Sequence, residues 1–127
     1  MTQLERHLEI MKQSLQLSET VVNGLIHTKT LLSEGKRPEA MQMLDDILVS
    51  YESVERSVTP VLAEMDMAEA EEVQGYFTNV QKGVNAVVTG LEAEKYEKVE
   101  EVLDSTLIPQ FRKLNDDLKK AFQPYLT

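Results

Sequence analysis

The stretch AMQMLDDILVSYESVERSVTPVLAEM, residues 40–65, decides the fold because its apolar residues recur at alternating steps of four and three. This spacing lays one apolar face along an α-helix, whereas a half-buried strand would alternate at every second residue. It predicts a helix over residues 38–65, with Pro38 in the first turn and a kink near residues 56–60 caused by Pro60. The stripe consists of Ala40, Leu44, Ile47, Tyr51, Val54, Val58, Val61 and Met65.

The rest of the chain carries three further stripes with the same period. They predict helices over residues 3–33, 67–93 and 96–122. Gly35, after the first of these helices, suits the left-handed conformation that often follows a helix end. In the last segment the stripe slips by one residue around Pro109, which predicts a local bulge or kink. We expect this helix to end near Phe122, before Pro124.

A faint internal repeat superposes the first and second halves of the chain. At an offset of 59 residues the repeat also aligns the two predicted turns near residues 35 and 94. The pattern predicts two αα-hairpins in tandem. The coinciding pairs are Val21/Val80, Gly24/Gly83, Thr30/Thr89, Leu32/Leu91, Lys36/Lys95, Leu44/Leu103 and Asp45/Asp104.

Four long helices joined by short connections run antiparallel to their neighbours. The sequence therefore predicts an all-α, up-down-up-down four-helix bundle that forms a single domain over residues 1–127. The alternative is an open pair of hairpins that completes its core by dimerising.

Composition excludes several classes of partner. The chain has 22 Asp and Glu against 13 Lys and Arg, which gives a formal net charge of −9. A nucleic-acid-binding surface and a surface that docks on anionic lipid both need basic residues, so we expect neither partner. No segment approaches the roughly 20 apolar residues of a membrane span. The polar start of the chain lacks the apolar region of a secretory signal, so we expect the protein in the cytoplasm.

The residues offer no recognisable catalytic or cofactor chemistry. The chain has no cysteine, and neither of its two histidines, His7 and His27, follows a Glu by three residues, as a di-metal bundle site requires. We expect no metal and no cofactor, and the chain is predicted not to be an enzyme. His27 falls opposite the apolar stripe, and a phosphorelay carrier through this exposed histidine is a remote alternative.

Apolar residues outside the stripes are the candidate binding sites. Either they broaden the core or they form an exposed groove that receives a helix from another chain. Methionine suits such a surface because its flexible side chain repacks easily. The residues we predict as partner contacts are Met43, Met67, Phe122 and Tyr125.

The segments LLSEGKRPEA (residues 31–40) and TLIPQFRKL (residues 106–114) resemble those of small, acidic, uncharacterised bacterial four-helix-bundle proteins. In size, acidity and helix count the chain is also similar to flagellar and secretion export chaperones. That resemblance implies a protein partner, bound through a hydrophobic terminal helix, but it transfers no functional residue.

From these observations we expect a non-enzymatic protein-interaction module, such as an adaptor or an export-type chaperone that binds an amphipathic helix. The alternative is a self-associating structural bundle that forms a homodimer.

Overall fold

The protein is an antiparallel four-helix bundle, as the sequence predicts. The computed structural model describes residues 2–65 and 67–126, and the side chains of these residues except at 67–69. The described residues contain no strand. The helices are α1 (Gln3–Ser33), α2 (Arg37–Leu62), α3 (Met67–Glu92), α4 (Tyr96–Val102) and α5 (Ile108–Leu126). A π-helical segment, Leu103–Leu107, joins α4 to α5 so that the three form one continuous fourth rod.

The boundaries of α1 and α3 agree with the prediction, and two other helix ends do not. The helix predicted to continue to residue 65 ends at Leu62, two residues after Pro60. The Ala63 amide bonds back to the carbonyls of both Thr59 and Val61, so the last turn tightens and the helix stops. The helix therefore continues past Pro60, as predicted, but ends at Leu62 and not at residue 65.

The last helix runs further than predicted. It was expected to end near Phe122, but it continues through Pro124 to Leu126. Proline removes only one backbone donor, and in a final turn few hydrogen bonds depend on that donor. Phe122 and Leu126 are four residues apart and therefore share a face, and both pack on the core.

The one-residue slip around Pro109 is confirmed as the π segment. The Ile108 amide donates to the Leu103 carbonyl, five residues back instead of four. The wider turn accommodates the extra residue and keeps both Leu103 and Leu107 fully buried.

The tandem repeat is confirmed at the two hairpin turns. In the first, the amides of Gly35 and Lys36 donate to the carbonyls of Leu32 and Leu31. In the second, 59 residues later, the amides of Glu94 and Lys95 donate to the carbonyls of Leu91 and Gly90. Gly35 and Glu94 both adopt positive φ, at 76° and 57°. The two halves of the chain therefore use the same turn, although the second has no glycine at its left-handed position.

Three aromatic rings from different helices meet in the core. The rings of Tyr51 and Phe111 are 5.3 Å apart in an edge-to-face arrangement, and those of Tyr51 and Phe77 are 6.2 Å apart. Such pairs contribute roughly 0.5–1.5 kcal/mol each beyond their buried area. This cluster holds α2, α3 and α5 together at mid-height of the bundle.

Candidate functional site

Glycines bring the two helices of each hairpin into close contact. A Cβ at Gly24 would lie 2.9 Å from Cγ1 of Ile47. The backbone of α1 therefore packs directly against a side chain of α2 at this position. A Cβ at Gly83 would lie 2.9 Å from Cδ1 of Leu107, the equivalent contact between α3 and the fourth rod. The two helices of each hairpin therefore touch at these glycines.

Ion pairs join α1 to the fourth rod. Lys29 Nζ lies 2.7 Å from Asp104 Oδ1, and Lys119 Nζ lies 2.8 Å from Glu19 Oε1. The hydrogen bond from Glu19 raises the pKa of Lys119 above its ordinary value. These exposed pairs are weak individually, but they mark a side of the bundle where the helices are in contact.

The side between α2 and α3 is different, because in the described parts of the chain these two helices pack less closely than the other neighbouring pairs. Among the described residues, the only hydrogen bond between them runs from the Tyr51 hydroxyl to the Phe77 carbonyl oxygen, at 3.1 Å. A groove of about 450 Å³ lies between the two helices. Its lining residues are Glu55, Thr59, Gln74, Phe77, Thr78, Gln81, Lys82 and Asn85.

The groove combines an aromatic floor with a polar rim. Phe77 is almost fully buried. The hydroxyls of Thr59 and Thr78 donate to carbonyls of their own helices, and the Gln81 amide donates to Asn85 Oδ1 at 3.2 Å. The rim polar groups thus satisfy one another locally and form no bridge across the groove.

Glu55 brings a negative charge close to this floor. Burial raises the pKa of Tyr51 well above its ordinary value, and the neighbouring Glu55 carboxylate raises it further. The phenol therefore stays protonated and keeps its hydrogen bond to α3. Its role is structural, because its only described partner is a backbone carbonyl.

An apolar shoulder extends the groove toward the hairpin turns. Met41 and Leu48 precede Glu55 on α2 at steps of seven residues, and Val88 follows Gln81 on α3 at the same step. Residues seven apart share one helix face, so these three lie on the faces that border the groove. Leu48 and Val88 are half-buried against the core, and Met41 is 45% exposed.

The structure places two of the predicted contact residues, Met43 and Tyr125, on different helices. Met43 is half-buried near Gly24, between α1 and α2. Tyr125 is 43% exposed, near the end of α5. Met67 begins α3, and its side chain lies outside the described residues.

Phe122 requires a correction. It was predicted as a surface contact, but it is 0% exposed and belongs to the core. The reason is the continuation of α5, which keeps residue 122 inside a regular helix with its side chain on the apolar face. The shoulder residues Met41, Leu48 and Val88 were not among the predicted contacts, although their seven-residue spacing was already present in the sequence.

The histidines do not form a reactive cluster. His27 is exposed on α1, as its place opposite the stripe predicts, and His7 Nδ1 lies 3.1 Å from Glu64 Oε2. In the part of the chain that the structure describes, no three His, Asp or Glu side chains are placed to hold a metal ion. No described helix is long and apolar enough to cross a membrane.

The fold and the groove define a small all-α bundle with a lateral groove between α2 and α3. The chain belongs to the family described as Domain of unknown function (DUF8042), whose sequence model matches residues 9–117. The matched region begins in α1 and ends in α5, so it includes all four rods and the π segment. The predicted resemblance to an uncharacterised domain is thereby confirmed. No curated protein and no solved structure matches the chain.

Proposed function

We propose that this protein is a non-enzymatic interaction module whose α2–α3 groove receives an amphipathic helix of a partner protein. The observation that carries the proposal is the asymmetry of the bundle. Glycine contacts draw the helices of each hairpin together and ion pairs join α1 to the fourth rod, whereas α2 and α3 pack less closely and leave the groove between them.

A helix is the occupant that suits this geometry. Two antiparallel helices present parallel rows of side chains, and a third helix packs its own row into the channel between them. The apolar shoulder would contact the apolar stripe of the incoming helix, and the amide-bearing rim would face its polar flank. Partly buried Leu48 and Val88 would then lose their remaining exposure to water.

An adaptor or an export-type chaperone is the specific role we favour. Such a protein holds an amphipathic segment that would otherwise expose its apolar face, and it needs no reactive group to do so. This role places the chain in the cytoplasm, where a partner awaiting export is made. It also accommodates Met41, since methionine adapts to different apolar surfaces.

Partner capture with groove variants tests the proposal. Met41→Asp charges the shoulder, and Gln81→Trp fills the groove with a large ring. Both positions are exposed, so the fold should survive, and far-UV circular dichroism checks this. Leu4→Asp is the matched control, because Leu4 is 63% exposed and lies on α1, which does not line the groove.

We expect both groove variants to lose the partners that the native chain and the Leu4→Asp control retain. Retention of the same partners by all three variants would refute the groove as the binding site.

Self-association is the second candidate function. The exposed apolar residues Met41 and Val49 lie on the same helix, and a second copy of the chain would cover them as well as a partner would. Analytical ultracentrifugation separates the two candidates. A dimer that is stable at low micromolar concentration and that Met41→Asp dissociates supports self-association, whereas a monomer supports binding of a different protein.

A further inference from the structure

Acidic side chains follow the groove on both helices. Glu55 lines the groove directly. Asp45, Glu52 and Glu92 each come four residues, about one helical turn, after a residue of the apolar shoulder and therefore lie beside it. Glu71 comes seven residues before the lining residue Thr78 and therefore lies on the same face of α3. The five carboxylates on these faces are Asp45, Glu52 and Glu55 of α2 and Glu71 and Glu92 of α3.

In the part of the chain that the structure describes, these carboxylates have no cationic partner. Among residues 2–65 and 67–126, none of the five takes part in an ion pair. On the α1–α5 side, by contrast, Glu19 and Asp104 are each paired with a lysine. The cations on the groove faces are Arg37, which lies over the Tyr96 ring, Arg56 and Lys82, so the five anions still outnumber them.

We propose that the helix received by the α2–α3 groove is basic, with Lys or Arg residues on both flanks of its apolar stripe. This inference rests on the proposed function and adds the chemistry of the partner to it. The apolar contact supplies affinity for any amphipathic helix, whereas the unpaired carboxylates select the basic ones.

Screening by salt limits the distance over which these carboxylates can discriminate between basic and acidic helices. At physiological ionic strength the Debye length is about 8 Å, so carboxylates beside the groove act on flanking charges within it, and distant charges of the chain contribute little. Complementary charge at the rim of an interface mainly raises the association rate and disfavours wrong partners. The selection should therefore weaken steeply as salt is added.

Two synthetic helical peptides of about 18 residues, roughly 27 Å long, test the charge preference against the full-length chain. They share one leucine stripe, and one carries Lys on its flanks where the other carries Glu. Fluorescence anisotropy measures the dissociation constant of each. We expect the basic peptide to bind at least about tenfold more tightly at low salt, with the difference shrinking as ionic strength rises.

A charge-reversed double variant, Glu52→Lys with Glu55→Lys, should weaken the basic peptide about tenfold and strengthen the acidic one. The control is Glu9→Lys with Glu101→Lys, which makes the same charge change on exposed positions of α1 and α4. The control should leave the preference in place, since its charges lie away from the groove.

The outcomes separate the two proposals. Equal binding of both peptides, lost in Gln81→Trp, overturns the basic partner and leaves the groove as a helix-binding site. Binding of neither peptide, or binding that Gln81→Trp does not affect, overturns the proposed function itself. A preference for the basic peptide that the control variant abolishes equally would assign it to net charge and would also overturn the inference.

Discussion

Replacing Gly90 by alanine is expected to destabilise the protein, although the same replacement at Gly75 in the same helix is expected to stabilise it. Both glycines lie in α3. A Cβ at Gly75 would meet no atom within 4 Å, whereas a Cβ at Gly90 would lie 2.7 Å from Cγ2 of Val99. The pair therefore measures how tightly the second hairpin is closed.

Both substitutions gain the higher helix propensity of alanine, but only Gly90→Ala adds a steric clash. Alanine favours a helix over glycine by about 1 kcal/mol, and Gly75→Ala should gain that amount. At Gly90 the new methyl group lies well inside the ~3.5–4.0 Å separation of carbon atoms in contact. Val99 is buried and β-branched, so it cannot swing aside, and overpacking of this kind costs up to about 3 kcal/mol. Gly90→Ala should therefore lose about 2 kcal/mol net, a difference of about 3 kcal/mol between the variants.

Urea unfolding followed by far-UV circular dichroism measures both variants against the native chain. With an unchanged dependence on urea, the midpoints report the stability difference directly. Adding Val99→Ala to Gly90→Ala should recover part of the loss, which identifies the contact responsible. Gly90→Ala proving as stable as Gly75→Ala would refute the tight hairpin, and with it the contrast that makes the α2–α3 side the open one.

Four further substitutions are expected to change the stability of the protein in a stated direction. Tyr51→Phe should cost about 1 kcal/mol at neutral pH because it removes the buried hydrogen bond to Phe77. The raised pKa of Tyr51 means that the folded chain keeps a proton that the unfolded chain releases above pH 10.0, so native stability should fall there and approach that of the variant. Glu94→Gly should gain about 0.5–1 kcal/mol in thermal unfolding by relieving the left-handed conformation, and Gly35→Ala should lose a similar amount. Ser18→Ala should gain about 1 kcal/mol in urea unfolding, because the buried Ser18 hydroxyl has no hydrogen-bond partner among the described residues.

The opposite experimental result would contradict the structural reason given for each of these substitutions. A constant stability difference between the native chain and Tyr51→Phe up to pH 11 would contradict the buried phenol. A destabilised Glu94→Gly variant would show that the second turn does not share the backbone of the first. Loss of stability in Ser18→Ala would indicate that the hydroxyl has a partner.

Local patterns in the sequence predict the helices and the hairpins. An apolar residue at every third or fourth position gives a helix one apolar face, independently of the rest of the chain. The helices and the faces that they bury can therefore be predicted from the spacing alone. The repeat at 59 residues predicts the common turn, and the slip at Pro109 predicts the π segment. Phe122 was misassigned because it lies outside the predicted apolar stripe of its helix, whereas the core buries Phe122 together with the stripe residue Ala121.

The sequence by itself thus determined four rods, their buried faces and their pairing into hairpins, because each depends on residues close together in the chain. Only the tertiary structure decided which two helices stand apart. That choice depends on contacts such as Lys29 with Asp104, 75 residues away, and on how the ring of Tyr51 fits between Phe77 and Phe111. The distance between two helices depends on the side chains of both helices. The periodic pattern within one helix does not specify which side chains of another helix it will contact.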